Sequence, residues 1–111
     1  MDKKELITVI VPCYNEQESV ELFYQEIDTV MKVMSEQDFE LIFVDDGSKD
    51  STLSIVKSLS TKDHRVKYLS FSRNFGKESA IYAGLEHAHG DYVVLMDADL
   101  QDPPKLLPEM F

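Results

Sequence analysis

A chain of 111 residues with 43% hydrophobic content can build one core, at the small end of ordinary domain size, so a single domain is expected. Its formal net charge of -10, from 21 acidic against 11 basic residues, argues against nucleic acid as a partner, because phosphate backbones are bound by clustered Lys and Arg. Cys13 is the only cysteine, so no intrachain disulfide can form, and its expected role is a small apolar filler.

The charged stretch Met1 to Glu5 leads straight into a strand pattern, without the apolar run and cleavage site of a secretory leader, which points to the cytoplasmic side. Apolar runs at Ile7 to Val11, Phe39 to Val44, Val66 to Phe71 and Tyr92 to Met96 are strand-sized, far below the ~20 residues that cross a bilayer. Their nearly continuous Val, Ile and Leu content predicts strands covered on both faces by helices, as in a parallel sheet.

Between the first two runs, Val20, Phe23, Ile27, Val30, Met31 and Met34 recur at helical spacing. Asp50 or Ser51 is placed to cap a second helix with Leu53, Val56 and Leu59 on its buried stripe, and a third helix is expected from about Lys77 to Ala88, before Gly90. Pro104 to Phe111 can begin a fourth, short or distorted because of Pro108. The result is a doubly wound α/β layer, whose functional positions should lie where strands end and helices begin.

Those junctions are polar. Asp97-Ala98-Asp99 follows the fourth strand, with Gln101 and Asp102 close behind, and extended geometry puts Asp97 and Asp99 on one side of the chain. Hard divalent cations such as Mg²⁺ or Mn²⁺ take carboxylate and amide oxygens and keep positions for phosphates, so Asp97, Asp99 and Gln101 form a candidate metal site that a diphosphate would complete. The small Ala98 lets another group approach the backbone. The competing reading of an arbitrary D-x-D is a set of solvated loop acids.

Asp45-Asp46-Gly47-Ser48 ends the second strand in the same way, as a nucleobase-facing carboxylate or as a plain turn with a helix cap. Pro12-Cys13-Tyr14-Asn15-Glu16 follows the first strand with an aromatic face and a carboxylate, although Asn15 with Glu18 also reads as a helix cap. Arg73-Asn74-Phe75-Gly76-Lys77 brings two cations to the same edge, for phosphate contact or for internal pairing. His64, His87 and His89 lack metal-ligand spacing and read as surface residues.

Taken together, Val11 to Glu16, Val44 to Ser48 and Asp97 to Pro104 resemble the N-terminal half of family 2 inverting glycosyltransferases with the GT-A fold. Arg73 to Glu78, Ala83-Gly84-Leu85 and Leu100 to Pro104 are similar to the polyprenyl-phosphate branch, which includes bactoprenol glucosyltransferases and dolichol-phosphate mannose synthases. The resemblance implies a Rossmann-like nucleotide-binding half with a mostly parallel sheet of about four strands. It implies that Pro12, Tyr14, Glu16 and Asp45 or Asp46 surround the nucleoside, with Lys77 and Ala98 also against the nucleotide sugar. Asp97, Asp99 and Gln101 would hold the metal and diphosphate, with Asp97 and Asp99 catalytic through that ion. The implied reaction is metal-dependent inverting transfer of a sugar, UDP-glucose being the first candidate donor, to a polyprenyl phosphate.

The same resemblance makes residues 1–111 a truncated piece, without the acceptor half and any membrane segment, inactive alone and part of a membrane-associated protein. Such a piece either binds nucleotide by itself or associates with a second copy to cover its open sheet edge. Two other readings stay open. One is a family 2 transferase acting on a polysaccharide or cell-wall hydroxyl; the other is a phosphoacceptor signalling domain or a noncatalytic nucleotide-binding module.

Overall fold

The computed structural model describes residues 4–99 and 107–108. Seven elements follow one another: β1 (Glu5–Cys13), α1 (Val20–Val33), β2 (Gln37–Asp45), α2 (Thr52–Lys62), β3 (Val66–Ser70), α3 (Lys77–His87) and β4 (Tyr92–Leu95). The strands form one sheet in the order β3-β2-β1-β4, and every pairing is parallel. Strand order therefore reverses between β1 and β4, and in open α/β sheets the crevice outside the carboxyl ends at such a reversal is where ligands bind.

Side-chain alternation divides the apolar residues between two faces. Ile7, Val9 and Val11 of β1 and Phe39, Leu41 and Phe43 of β2 pack with Phe23 and Ile27 of α1 and Val56 of α2. Ile10, Ile42 and Val44 point the other way, against Ala80 of α3. Gly84 is required by this second contact: a Cβ there would lie 2.6 Å from the Ile10 side chain. Small residues let α3 approach the sheet closely, which explains why the helix lacks a strong apolar stripe.

Both inner strands are covered on two faces as expected, but β3 and β4 are not. Val66 is buried while Lys67 and Tyr68 are exposed, and Tyr92, Val93 and Leu95 are each more than two-fifths exposed. The continuous apolar run of β4 thus fits an outer strand with nothing beyond it among the described residues. Leu107 is fully buried in the α1-side core; the rest of the expected fourth helix lies outside the described residues, as do Gln101 and Asp102.

A buried carboxylate ties the amino end of the sheet together. Glu40 accepts hydrogen bonds from Thr8 Oγ1 (2.8 Å) and the backbone N–H of His89 (3.0 Å), and it pairs with Lys67 Nζ and His89 Nδ1. His89 lies on the surface as expected, and from there it joins the α3–β4 connection to the sheet. Burial opposes ionisation of Glu40, but the bonds from Lys67, His89 and Thr8 outweigh it and hold the group at about 2, below its ordinary 4.5. This stabilisation is complete above the unfolded value and is lost as pH falls through about 2. A loss on the order of 3 kcal/mol is expected across that window, read as a falling urea midpoint, and Glu40→Gln should flatten the slope.

Candidate functional site

The β1–α1 and β2–α2 turns are clasped to each other by reciprocal hydrogen bonds. The Asn15 N–H donates to Ser48 Oγ and the Lys49 N–H to Asn15 Oδ1, both at 2.8 Å. Glu16 N donates to Thr52 Oγ1 (2.8 Å), and Ser51 N to Gln17 Oε1 (3.0 Å). Asn15 adopts φ 52°, a left-handed conformation that Asn tolerates better than most residues. The expected Asn15–Glu18 helix cap is not formed, because Asn15 is engaged across the clasp and α1 begins later, after Ser19. At α2 it is Asp50 that caps, accepting from Thr52 N at 2.9 Å, while the Ser51 side chain makes no cap bond.

At the strand reversal an open cleft of ≈ 180 Å³ is lined by Pro12 and Cys13 at the end of β1, Tyr14 and Glu16 just after it, Asp46 after β2, Lys77 at the start of α3, and Asp97, Ala98 and Asp99 after β4. Eight of the residues expected around a nucleotide sugar thus meet at one place. The ninth, Asp45, opens instead onto an adjoining cavity of ≈ 360 Å³, shared with Tyr14, Ser48, Phe71 and Arg73.

The two adjacent aspartates have different surroundings. Asp46 is nearly fully buried and locked in place: Oδ1 accepts from Phe75 N (2.8 Å), and Oδ2 from Gly76 N (3.0 Å) and Asn74 Nδ2 (3.2 Å). It shapes the loop that carries Lys77. Asp45 is equally buried, yet its Oδ1 has no hydrogen-bond partner among the described residues. A buried oxygen without a donor costs about 1–3 kcal/mol, and a ligand N–H or O–H in the adjoining cavity would supply one. Asp46→Ala should cost about 2–4 kcal/mol, measured by urea denaturation, since it strands the 74–76 donors.

Electrostatically, the cleft gathers carboxylates, and Lys77 Nζ lies against them, 2.7 Å from Asp97 Oδ1. Burial raises the Glu16 carboxyl above its ordinary value, and the charges of Asp99, Asp97 and Asp50 add to that, against a lowering hydrogen bond from Ser19. Burial likewise pushes the Cys13 thiol far up, with Asp45 and Glu16 adding to it, so Cys13 is an inert wall of the cleft, as a filler should be.

Hard oxygen donors and accumulated negative charge fit a divalent cation of the Mg²⁺ or Mn²⁺ type at Asp97 and Asp99. No group of three His, Cys, Asp or Glu side chains converges closely enough to hold an ion among the described residues. The third expected donor, Gln101, lies outside them, and a site left incomplete by protein ligands is the usual condition of ions that also bind substrate phosphates.

Arg73, offered with Lys77 for phosphate contact or internal pairing, lines the second cavity with its guanidinium 4.6 Å from the centre of the Phe75 ring, whereas the clasp residues Ser48, Asp50 and Thr52 are site-builders that the sequence does not single out. Their only local signal is polar composition, which any turn shares.

The family description of glycosyl transferase family 2 matches residues 8–111. A prophage bactoprenol glucosyl transferase homolog of Escherichia coli K12 is 44% identical over 104 residues, which covers 94% of this chain and 34% of that protein. Among solved structures, a mannosyltransferase of Pyrobaculum calidifontis in complex with GDP-mannose and Mn²⁺ aligns with a TM-score of 0.70 and 31% identity, over 87% of this chain and 28% of that one. Glucosyl-3-phosphoglycerate synthase of Mycobacterium tuberculosis, in complex with Mn²⁺, UDP and glucosyl-3-phosphoglycerate, aligns with a TM-score of 0.69 and 28% identity, over 94% and 37%. The architecture is that of GT-A glycosyltransferases. The chain spans about a third of the length of the curated relatives it matches.

Proposed function

Because the chain belongs to glycosyl transferase family 2, we propose that it forms the nucleotide-sugar-binding half of a catalytic domain that transfers a hexose, with inversion, from a nucleoside diphosphate to a polyprenyl phosphate. UDP-glucose is the first candidate donor. The observation that carries this reading is the cleft at the strand reversal, where Asp97, Asp99, Glu16 and Lys77 line one wall-to-wall space with Pro12 and Tyr14. It adjoins a second cavity lined by Asp45, whose Oδ1 has no hydrogen-bond partner among the described residues.

The two spaces suit the two ends of a nucleoside diphosphate. Nucleobase N–H groups would be accepted by the buried Asp45 carboxylate, with Tyr14 between the cavities as an apolar surface for the nucleoside. The diphosphate would lie toward Asp97, Asp99 and Lys77, close against the small Ala98. A Mg²⁺ or Mn²⁺ ion bound by Asp97, Asp99 and Gln101 would stabilise charge that develops on the leaving nucleoside diphosphate. Lys77 would hold a phosphate oxygen, and Glu16 and Asp46 would fix the cleft walls.

The acceptor assignment is supported by the bactoprenol glucosyl transferase homolog, whose name denotes a lipid carrier. A phosphate acceptor is already an anion, so its attack on the anomeric carbon has little need of a strong general base. A lipid acceptor would bring the whole protein to a membrane, although no helix among the described residues is long and apolar enough to cross one. The test is label transfer. A longer polypeptide beginning with this chain, given labelled UDP-glucose, Mn²⁺ and a polyprenyl phosphate, is expected to move label into the organic phase. Label recovered only in polymer would overturn the lipid acceptor in favour of a hydroxyl.

A further inference from the structure

Lys77 and a divalent cation want the same oxygen. The ammonium sits 2.7 Å from Asp97 Oδ1, at the mouth of the cleft where the donor's diphosphate is placed under the reading above, on which this inference rests. We propose that Lys77 is an exchangeable counter-ion: it neutralises Asp97 while no metal is bound, gives way to the incoming cation, and then turns to the donor's phosphates.

Three features make the exchange physically cheap. The Lys77 side chain is 58% exposed, and ion pairs of that exposure contribute little to stability. Lysine carries its charge on a flexible four-carbon stem, so the ammonium can move by several ångströms while the backbone stays still. The backbone here is held: Asp46 accepts from the N–H groups of Phe75 and Gly76, immediately before Lys77, and Gly76 at φ 106° turns the chain into α3.

The consequence is a pair of opposite effects from one substitution. Lys77→Met removes the competitor for Asp97, so Mn²⁺ alone should bind roughly three- to tenfold more tightly. It also removes a phosphate partner, so UDP at saturating Mn²⁺ should bind roughly three- to tenfold more weakly. Lys77→Arg keeps the charge, so it should move both affinities back from their Lys77→Met values toward those of the unsubstituted chain.

The experiment is calorimetry of the 111-residue chain and the two variants with Mn²⁺ alone and with UDP plus Mn²⁺, alongside thermal denaturation. Opposite shifts in Lys77→Met, moved back toward the unsubstituted values in Lys77→Arg, are the expected result. Unchanged affinities, or both falling together with thermal stability, would mean an ordinary structural ion pair and overturn the exchange while leaving the donor site intact. Absence of both ligands from the folded, unsubstituted chain would instead overturn the donor-site reading, and the exchange with it.

Discussion

Replacing both Asp97 and Asp99 with Ala is expected to abolish Mn²⁺-dependent UDP binding, a loss on the order of a hundredfold or more, without unfolding the chain. A hard cation bound through carboxylate oxygens cannot be retained when both are removed, and the diphosphate loses the charge that holds it. The expected insensitivity of folding has its own reason. Asp97 and Asp99 lie after the last residue of β4, and their charges act against ionisation of the half-buried Glu16. Their removal therefore relieves repulsion in the cleft and lets the Glu16 carboxyl titrate lower. Calorimetry with UDP and GDP, each with and without Mn²⁺, checks the binding, and circular dichroism checks the fold. Metal-independent UDP binding of undiminished strength in the double variant would refute the assignment of these aspartates. The preference between UDP and GDP in the unsubstituted chain would identify the donor class.

A second large effect is expected at a residue with no functional group. Gly47 follows the two strand-end aspartates at φ 73°, and a Cβ there would lie 2.2 Å from the carbonyl carbon of Arg73. Backbone on one side and a left-handed conformation on the other leave no route for relief. Gly47→Ala should destabilise by about 3–5 kcal/mol, the sum of αL strain and forced displacement of the 72–74 segment. A domain of this size would lose roughly 10 °C or more in Tm. Nucleotide binding should suffer as well, since the same displacement disturbs Arg73 beside Asp45 and the loop that delivers Lys77. A Gly47→Ala variant with unchanged Tm would show that the two loops are not in the contact described.

The histories of Asp45 and Asp46 show how far local pattern reaches. As neighbours in Asp45-Asp46-Gly47-Ser48 they are interchangeable in composition, and a turn with a cap explains the motif as well as a nucleobase site does. The fold separates them. Consecutive residues at a strand end point in different directions, so Asp46 meets the 74–76 loop, while Asp45 lines the second cavity and its Oδ1 has no hydrogen-bond partner among the described residues. Lys77 shows the same limit: phosphate contact and internal pairing are equal from sequence, and the approach of α3 to the end of β4 selects Asp97.

What the amino-acid sequence determined by itself is the alternation of strands and helices, the placement of acids at the strand ends, and the family to which the chain belongs. Each is carried by local hydrophobic period or by motifs a few residues long, and these need no knowledge of neighbours in space. Tertiary structure alone decided that β4 pairs with β1, so that the residues at their carboxyl ends line one cleft, that the Asn15 and Ser48 turns clasp, and that β3 and β4 are left partly uncovered. These features depend on partners tens of residues apart: Asn15 and Ser48 are separated by 33 positions, and Asp46 and Gly76 by 30. Contacts at that distance form only when burial of the sheet's two apolar faces brings the loops together, and no local pattern records it.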